Sequence, residues 1–123
     1  MTATTPPKPP THRLSIRIDL AGGARIGPGK IALLEEIARS GSISAAGRAM
    51  KMSYRRAWEL VEDLNRNLGE PVVETAAGGS GGGGTRLTPG GLRLVQQYRA
   101  MEQAATATAQ DYLDALGSLA RAP

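Results

Sequence analysis

The chain has no cysteine and no phenylalanine, and it has one histidine and one tryptophan. Without cysteine there are no disulfides, no thiolate metal sites and no cysteine nucleophile. The single His12 stands in a Pro-rich tail, so no histidine metal cluster is available. Ser, Thr and carboxylates are plentiful, but no His or Cys follows His12 to activate a nucleophile, and no carboxylate pair has a context that argues for acid–base work. An enzyme is not expected, nor a cofactor or a bound metal. No apolar run is long enough to span a bilayer, and the N-terminus lacks the apolar core of a signal peptide. A cytoplasmic protein with no membrane partner is the expectation. Aliphatic side chains must fill the core, and 123 residues suffice for one modest domain.

Acidic residues are missing where basic ones gather. Residues 40–58 hold Arg48, Lys51, Arg55 and Arg56 and no Asp or Glu. The net charge of +4 and a pI near 10.0 favour an anionic partner without establishing one.

Residues 1–13 are rich in Thr and Pro and show no period, so a disordered arm is expected. Lys8 and Arg13 could touch DNA from it, but a plain tail is the better reading. Residues 14–20 alternate strictly, with Leu14, Ile16, Ile18 and Leu20 apolar, which predicts a strand with one wet face. A Gly-rich turn over 21–29 follows. Ile31, Leu34, Ile37 and Ala38 then recur at helical spacing, and Gly41 stops that helix. Ser42 caps a short helix of small residues, Ala45, Ala46, Gly47 and Ala49. Met50 and Met52 flank Lys51 at a corner. Ser53 caps a second helix whose inward face is Ala57, Val61 and Leu64, widened by Leu60 and Leu68.

Tyr54, Arg55, Arg56 and Glu59 remain outward at the start of that second helix. In a helix-turn-helix these first positions reach base edges, where Arg can pair with guanine. Glu59 accepts from cytosine or restrains Arg55 at i+4 spacing. A solvated helix face is the competing reading of the Arg pair. The small-residue helix, the corner and the cap tip the balance to DNA. Trp58, at the boundary of the two faces, reads as packing rather than a DNA contact.

Residues 72–75 and 86–88 are short extended pieces around the Gly-rich run 76–84, which predicts a hairpin placed as a wing. Glycine would let its tip approach a sugar–phosphate backbone, and Arg86 at its base could meet a phosphate. The Gly-Lys-Ser/Thr of a P-loop is absent, and composition alone would suggest a linker. Thr88-Pro89 opens a last helix of roughly thirty residues, about 45 Å long. Leu94, Tyr98, Met101, Ala105, Thr108, Tyr112, Ala115 and Leu119 recur along it at spacings of four and three. That seam asks for a partner helix, and a homodimer is expected.

Residues 40–65 (SGSISAAGRAMKMSYRRAWELVEDLN) and 72–98 (VVETAAGGSGGGGTRLTPGGLRLVQQY) resemble the N-terminal DNA-binding domain of the ModE family of molybdate-responsive bacterial transcription regulators. The likeness covers about residues 14–112. A broader similarity to the LysR-type winged helix-turn-helix accompanies it. The resemblance implies dimerisation through the first strand and the last helix, and operator DNA bound by the second motif helix. Carried onto this chain, it implies Ser53, Tyr54, Arg55 and Arg56 as recognition positions and Ser44 and Lys51 as phosphate contacts. Full-length members continue into molybdate-binding domains, whereas this chain ends at Pro123. Molybdate binding within it is therefore not expected.

The expected fold is mainly α with a small β wing: a winged helix-turn-helix with an N-terminal strand and a long C-terminal dimerisation helix. Its parts are the arm, residues 1–13; the DNA-binding domain, 14–88; and the helix, 89–120. The expected function is sequence-specific regulation of transcription by a homodimer reading double-stranded DNA. Ser44, Lys51, Ser53, Tyr54, Arg55, Arg56 and Arg86 would contact DNA. Leu14, Ile16, Ile18, Leu94, Tyr98, Met101, Ala105 and Tyr112 would form the dimer. The alternative is a protein-interaction module that docks a partner through the long helix.

Overall fold

The computed structural model describes residues 12–75 and 84–120. In chain order the elements are β1 (Ile18–Asp19), β2 (Arg25–Ile26), α1 (Pro28–Ser40), α2 (Ile43–Ala49), α3 (Tyr54–Asn67), β3 (Val73–Thr75), β4 (Thr85–Leu87) and α4 (Pro89–Gly117). Three helices, a hairpin and a long last helix make a winged helix-turn-helix. The arm up to Thr11 and the Gly-rich tip, residues 76–83, lie outside the described residues.

The first strand is much shorter than its alternation predicts. Only Ile18 and Asp19 pair, antiparallel, with Ile26 and Arg25. The turn between them is tight: Leu20 N–H donates to the Ala24 carbonyl at 2.9 Å, and Gly23 takes φ 98°. That places Leu20 on the surface and creates β2, which the Gly-rich sequence concealed. Residues 14–17 keep their alternation, with Leu14 and Ile16 half-buried and Ser15 and Arg17 exposed, but find no strand partner among the described residues.

Helix α1 is the centre of the core. Pro28 stands at its first turn, and Gly41 ends it at φ 73°, its N–H bonded to the Ile37 carbonyl. Ile31, Leu33, Leu34 and Ile37 are buried, whereas Ala38 is exposed. Leu33 lies off the expected stripe. It is buried because α1 is covered from more than one side, by α2, α3, α4 and β4. Ala46, Ala57, Val61, Leu64, Val72 and Val73 close the core around it.

Polar side chains tie the layers together. Lys30 Nζ reaches both Asp63 Oδ2 at 2.9 Å and the Arg25 carbonyl at 2.8 Å, linking β2, α1 and α3. Arg99 on α4 grips Glu35 on α1 through two hydrogen bonds, at 3.0 and 2.6 Å, and Glu102 through a third at 2.7 Å. The hydrogen bonds from Arg99 hold the Glu35 carboxyl below its ordinary value, against a smaller opposing effect of burial. A depressed carboxylate contributes stability above its unfolded-state pKa, near 4.3, and loses it as pH falls through the folded-state value. The pair is more than a third exposed, so after screening it contributes about 1 kcal/mol or less. Urea titrations of wild type and Glu35→Gln should show their stability difference at pH 7 shrinking as pH drops below about 4. A difference that stays constant over that range would mean Glu35 acts only by packing.

Helix α4 spans 29 residues, about 43 Å, and its two halves differ. The first half packs on its own chain. Tyr98, expected in the partner seam, is instead 2% exposed, and its hydroxyl donates to the Ile16 carbonyl at 2.6 Å. Leu94 and Met101 are partly buried against the same core. Burial of Tyr98 also pushes its phenol pKa up. Beyond Ala105 the domain ends and the helix runs on, with Tyr112 72% and Leu116 64% exposed. His12 lies against Gly117, and Arg13 and Leu14 line one shallow groove with Gln103 and Thr106, so residues 12–14 run beside this helix.

Candidate nucleic-acid interface

The two helices of the motif are set by local chemistry. Ser42 Oγ accepts from the Ala45 N–H at 3.1 Å, and Ser53 Oγ from the Arg56 N–H at 3.0 Å. Each cap satisfies one of the donors that a helix start leaves open. Between them the chain turns through Lys51, the one described residue other than glycine with positive φ, at 58°. Gly47 lets α2 sit on α3. A Cβ there would lie 3.3 Å from Ala57 Cβ and 3.4 Å from the Met52 carbonyl oxygen.

The wing root is fastened to the motif at two places. Thr85 N–H donates to the Gly41 carbonyl at 2.9 Å. Asn65 on α3 binds the backbone of the strand. Its Oδ1 accepts from Val72 N–H at 2.8 Å and Val73 N–H at 3.3 Å, and its Nδ2 donates to the Val73 carbonyl at 3.2 Å. The amide mimics a strand edge, so α3 and the hairpin hold one relative position. Nothing in the local sequence marks Asn65 for this, since its partners are seven and eight residues away in an irregular stretch.

Ion pairing divides the cations. Arg17, Arg25, Lys30, Arg39, Arg55, Arg86, Arg93 and Arg99 each meet a carboxylate within 4 Å. Among the described residues, Arg13, Arg48, Lys51, Arg56 and Arg66 do not. Three of these five, Arg48, Lys51 and Arg56, lie on the helix-turn-helix between α2 and the first turn of α3. Arg48 Nη1 donates to Ser44 Oγ at 3.0 Å, a neutral partner that orients the guanidinium without cancelling its charge.

The expected contact residues fare unequally. Ser53 and Arg56 share the cap and are exposed, as is Lys51. Tyr54 is 58% exposed. Arg55 is solvent-facing but within 3.7 Å of Glu59, the restraint that i+4 spacing suggests. Arg86 faces Glu74 directly across the hairpin and donates to it at 2.9 Å, so its charge is partly answered. Ser44 and Tyr54 line one groove together with the wing root, Thr75 and Thr85. Trp58, expected as packing, is 45% exposed and lines the same groove. Arg48 was legible only as one cation in an acid-free stretch. Its lack of a carboxylate partner is a tertiary fact.

Among the described residues no helix is long and apolar enough to cross a membrane, and no cluster of three His, Asp or Glu could hold a metal ion.

Residues 29–92 match the family described as bacterial regulatory helix-turn-helix protein, lysR family. The chain is similar to the molybdenum-pterin-binding protein MopB of Rhodobacter capsulatus, 50% identical over 80 residues, or 65% of this chain and 30% of that protein. It is similar to the molybdenum transport protein ModE of Azotobacter vinelandii, 42% identical over 90 residues, or 73% of this chain and 33% of that one. The DNA-binding transcriptional dual regulator ModE of Escherichia coli K12 is 43% identical over 76 residues, 62% of this chain and 29% of its own length. The chain thus matches about a third of the length of these relatives. In fold it resembles a crystal structure of a LysR family transcriptional regulator, with TM-score 0.51 and 17% identity over 68% of this chain and 27% of that one.

Proposed function

Because the chain belongs to the lysR family of bacterial regulatory helix-turn-helix proteins, we propose that it regulates transcription as a homodimer bound to double-stranded DNA in the cytoplasm, in the manner of the ModE regulators it resembles. Residues 14–88 form the reader, and α4 with the turn that follows it to residue 120 forms the dimerisation segment. The first turn of α3 enters the major groove, with Ser53, Tyr54, Arg55 and Arg56 toward the bases. Ser44, Lys51 and Arg86 approach phosphates. The observation that carries this reading is the grouping of Arg48, Lys51 and Arg56, all without a carboxylate partner, on one helical corner. Most other described cations are neutralised locally, so the uncancelled field points outward from the motif.

The dimer is proposed along the distal half of α4 and the unpaired edge of residues 14–17. Support comes from the exposed Tyr112, Leu116 and Leu119 and the shallow apolar groove between Met101, Ala105 and Tyr112. Leu14, Ile16 and Ile18 are half-buried in one chain and could be covered further by a second. Tyr98, enclosed by its own chain, takes no part in this dimer contact.

A gel-shift titration against a duplex pool selected by the protein tests this. Selected sites should be pseudo-palindromic, with half-sites about 34 Å apart. The logarithm of affinity should fall linearly with the logarithm of salt concentration as phosphate contacts release counterions. Absence of binding at low salt, with helix-mediated association retained, would favour a protein-interaction module built on the exposed end of α4.

A further inference from the structure

Trp58 has a position that packing alone does not explain. It is the only tryptophan in the chain, it lies one turn after Tyr54 on α3, and nearly half of it faces solvent. Its ring stands on a ridge. On one side is a groove of about 360 Å³ between the motif and the wing root. On the other it shares a shallow surface of mixed charge, with Arg56 and Arg66 beside Glu59, Glu62 and Asp63.

The chemistry of that groove is distinctive. Its polar side chains are Ser42, Ser44, Tyr54, Trp58, Thr75 and Thr85, all neutral, and no carboxylate lines it. Ser42 is occupied by its cap and Ser44 by Arg48. The Thr75 and Thr85 hydroxyls and the Trp58 indole N–H have no hydrogen-bond partner among the described residues. Arg48 reaches one margin through Ser44, and Arg56 stands behind Trp58. Neutral donors and no acid within the groove, with Arg48 and Arg56 at its margins, suit a polyanionic strand rather than an apolar ligand, and the carboxylates Glu59, Glu62 and Asp63 lie on the far side of Trp58. The Thr85–Gly41 hydrogen bond and the Asn65 bridge fix the distance between the walls.

We infer that this groove holds one sugar–phosphate strand of duplex DNA, with the Trp58 ring against a deoxyribose and its Nε1–H donating to a phosphate oxygen. The Thr75 and Thr85 hydroxyls close on the same strand from the wing. Paired bases in a duplex are stacked on each other, so the sugar face is what an indole beside the recognition turn can reach. The contact is independent of sequence and uncharged. It rests on the DNA reading above but adds a residue and a subsite to it.

A lone tryptophan makes its own reporter. Binding of random-sequence duplex at low salt should shield Trp58 emission from acrylamide. Trp58→Ala should weaken that binding about tenfold, the size of one hydrogen bond and a ring contact, and Trp58→Phe should lose part of it. The salt slope should stay at the wild-type value in both, because no charge is removed. By contrast, Lys51→Ala, which removes a proposed phosphate contact, should reduce that slope by about 1. Wild-type affinity in both tryptophan variants, with acrylamide access unchanged by DNA, would leave the DNA reading standing and overturn the Trp58 subsite. Failure of wild type to bind random duplex at all would overturn both. If Trp58→Ala does not fold, Trp58→Phe and the shielding measurement on wild type still decide.

Discussion

Gly91→Ala is expected to cost about 3 kcal/mol or more, enough to unfold a marginal domain. Gly91 lies in the first turn of α4 and is buried. A Cβ there would overlap the Val72 carbonyl oxygen and come within 3.3 Å of Leu87 Cβ. Neither neighbour can give way. The Val72 carbonyl accepts from Thr88 N–H, the Val72 N–H is held by Asn65, and Thr88 caps α4 while donating to the Pro71 carbonyl. Moving Val72 would break the joint between α3, the wing and α4 together. The adjacent Gly90 is the control. The three nearest atoms a Cβ there would meet all belong to the end of the Glu70 side chain, which is exposed and paired with Arg93. Alanine suits a helix better than glycine by about 1 kcal/mol, so Gly90→Ala should be neutral or stabilising. Thermal melts followed by circular dichroism would check the contrast. Equal melting temperatures for the two variants would remove the argument.

Arg56→Ala should lower DNA affinity about 5- to 150-fold, or 1–3 kcal/mol, with the larger loss if it reads a guanine. Arg55→Ala should lose less, because Glu59 already answers part of its charge. Lys51 offers a sharper test. Its positive φ costs a non-glycine residue about 1 kcal/mol, yet lysine stands at the corner of the motif. Lys51→Gly should therefore stabilise the fold by up to about 1 kcal/mol while weakening DNA binding uniformly across sequences and reducing the salt slope by about 1. Opposite signs in stability and affinity are what a side chain retained for phosphate contact requires. A Lys51→Gly protein that binds as tightly as wild type would place Lys51 outside the interface.

These predictions draw on different layers of information. The caps Ser42, Ser53 and Thr88, the stop at Gly41 and the start of α4 at Pro89 were all readable along the chain. Each is a contact of a residue with a neighbour three or four positions away. The amphipathic face Ala57, Val61 and Leu64 was readable for the same reason, and so was the hairpin, whose strands flank one glycine run. The strand over 14–20 was overestimated because alternation records one wet face but does not supply a partner strand. On α4 the first part of the seam, Leu94, Tyr98 and Met101, is covered by its own chain. Heptad spacing says that a helix face is covered, not by which chain.

By itself, then, the sequence determined the helices, their caps and corner, the wing and the basic, acid-free character of the motif, and with them the family. Those properties are written in local spacing and composition, which survive without knowledge of distant partners. Only the tertiary structure decided which cations are cancelled and which are not, since Arg99 meets Glu35 across 64 positions. It alone turned Tyr98 inward, onto a carbonyl 82 positions away. It also made Gly91 indispensable beside Val72, gave Asn65 a strand to hold, and left Trp58 facing a groove. Such contacts follow from how packed elements meet, and no short window of sequence contains both halves of them.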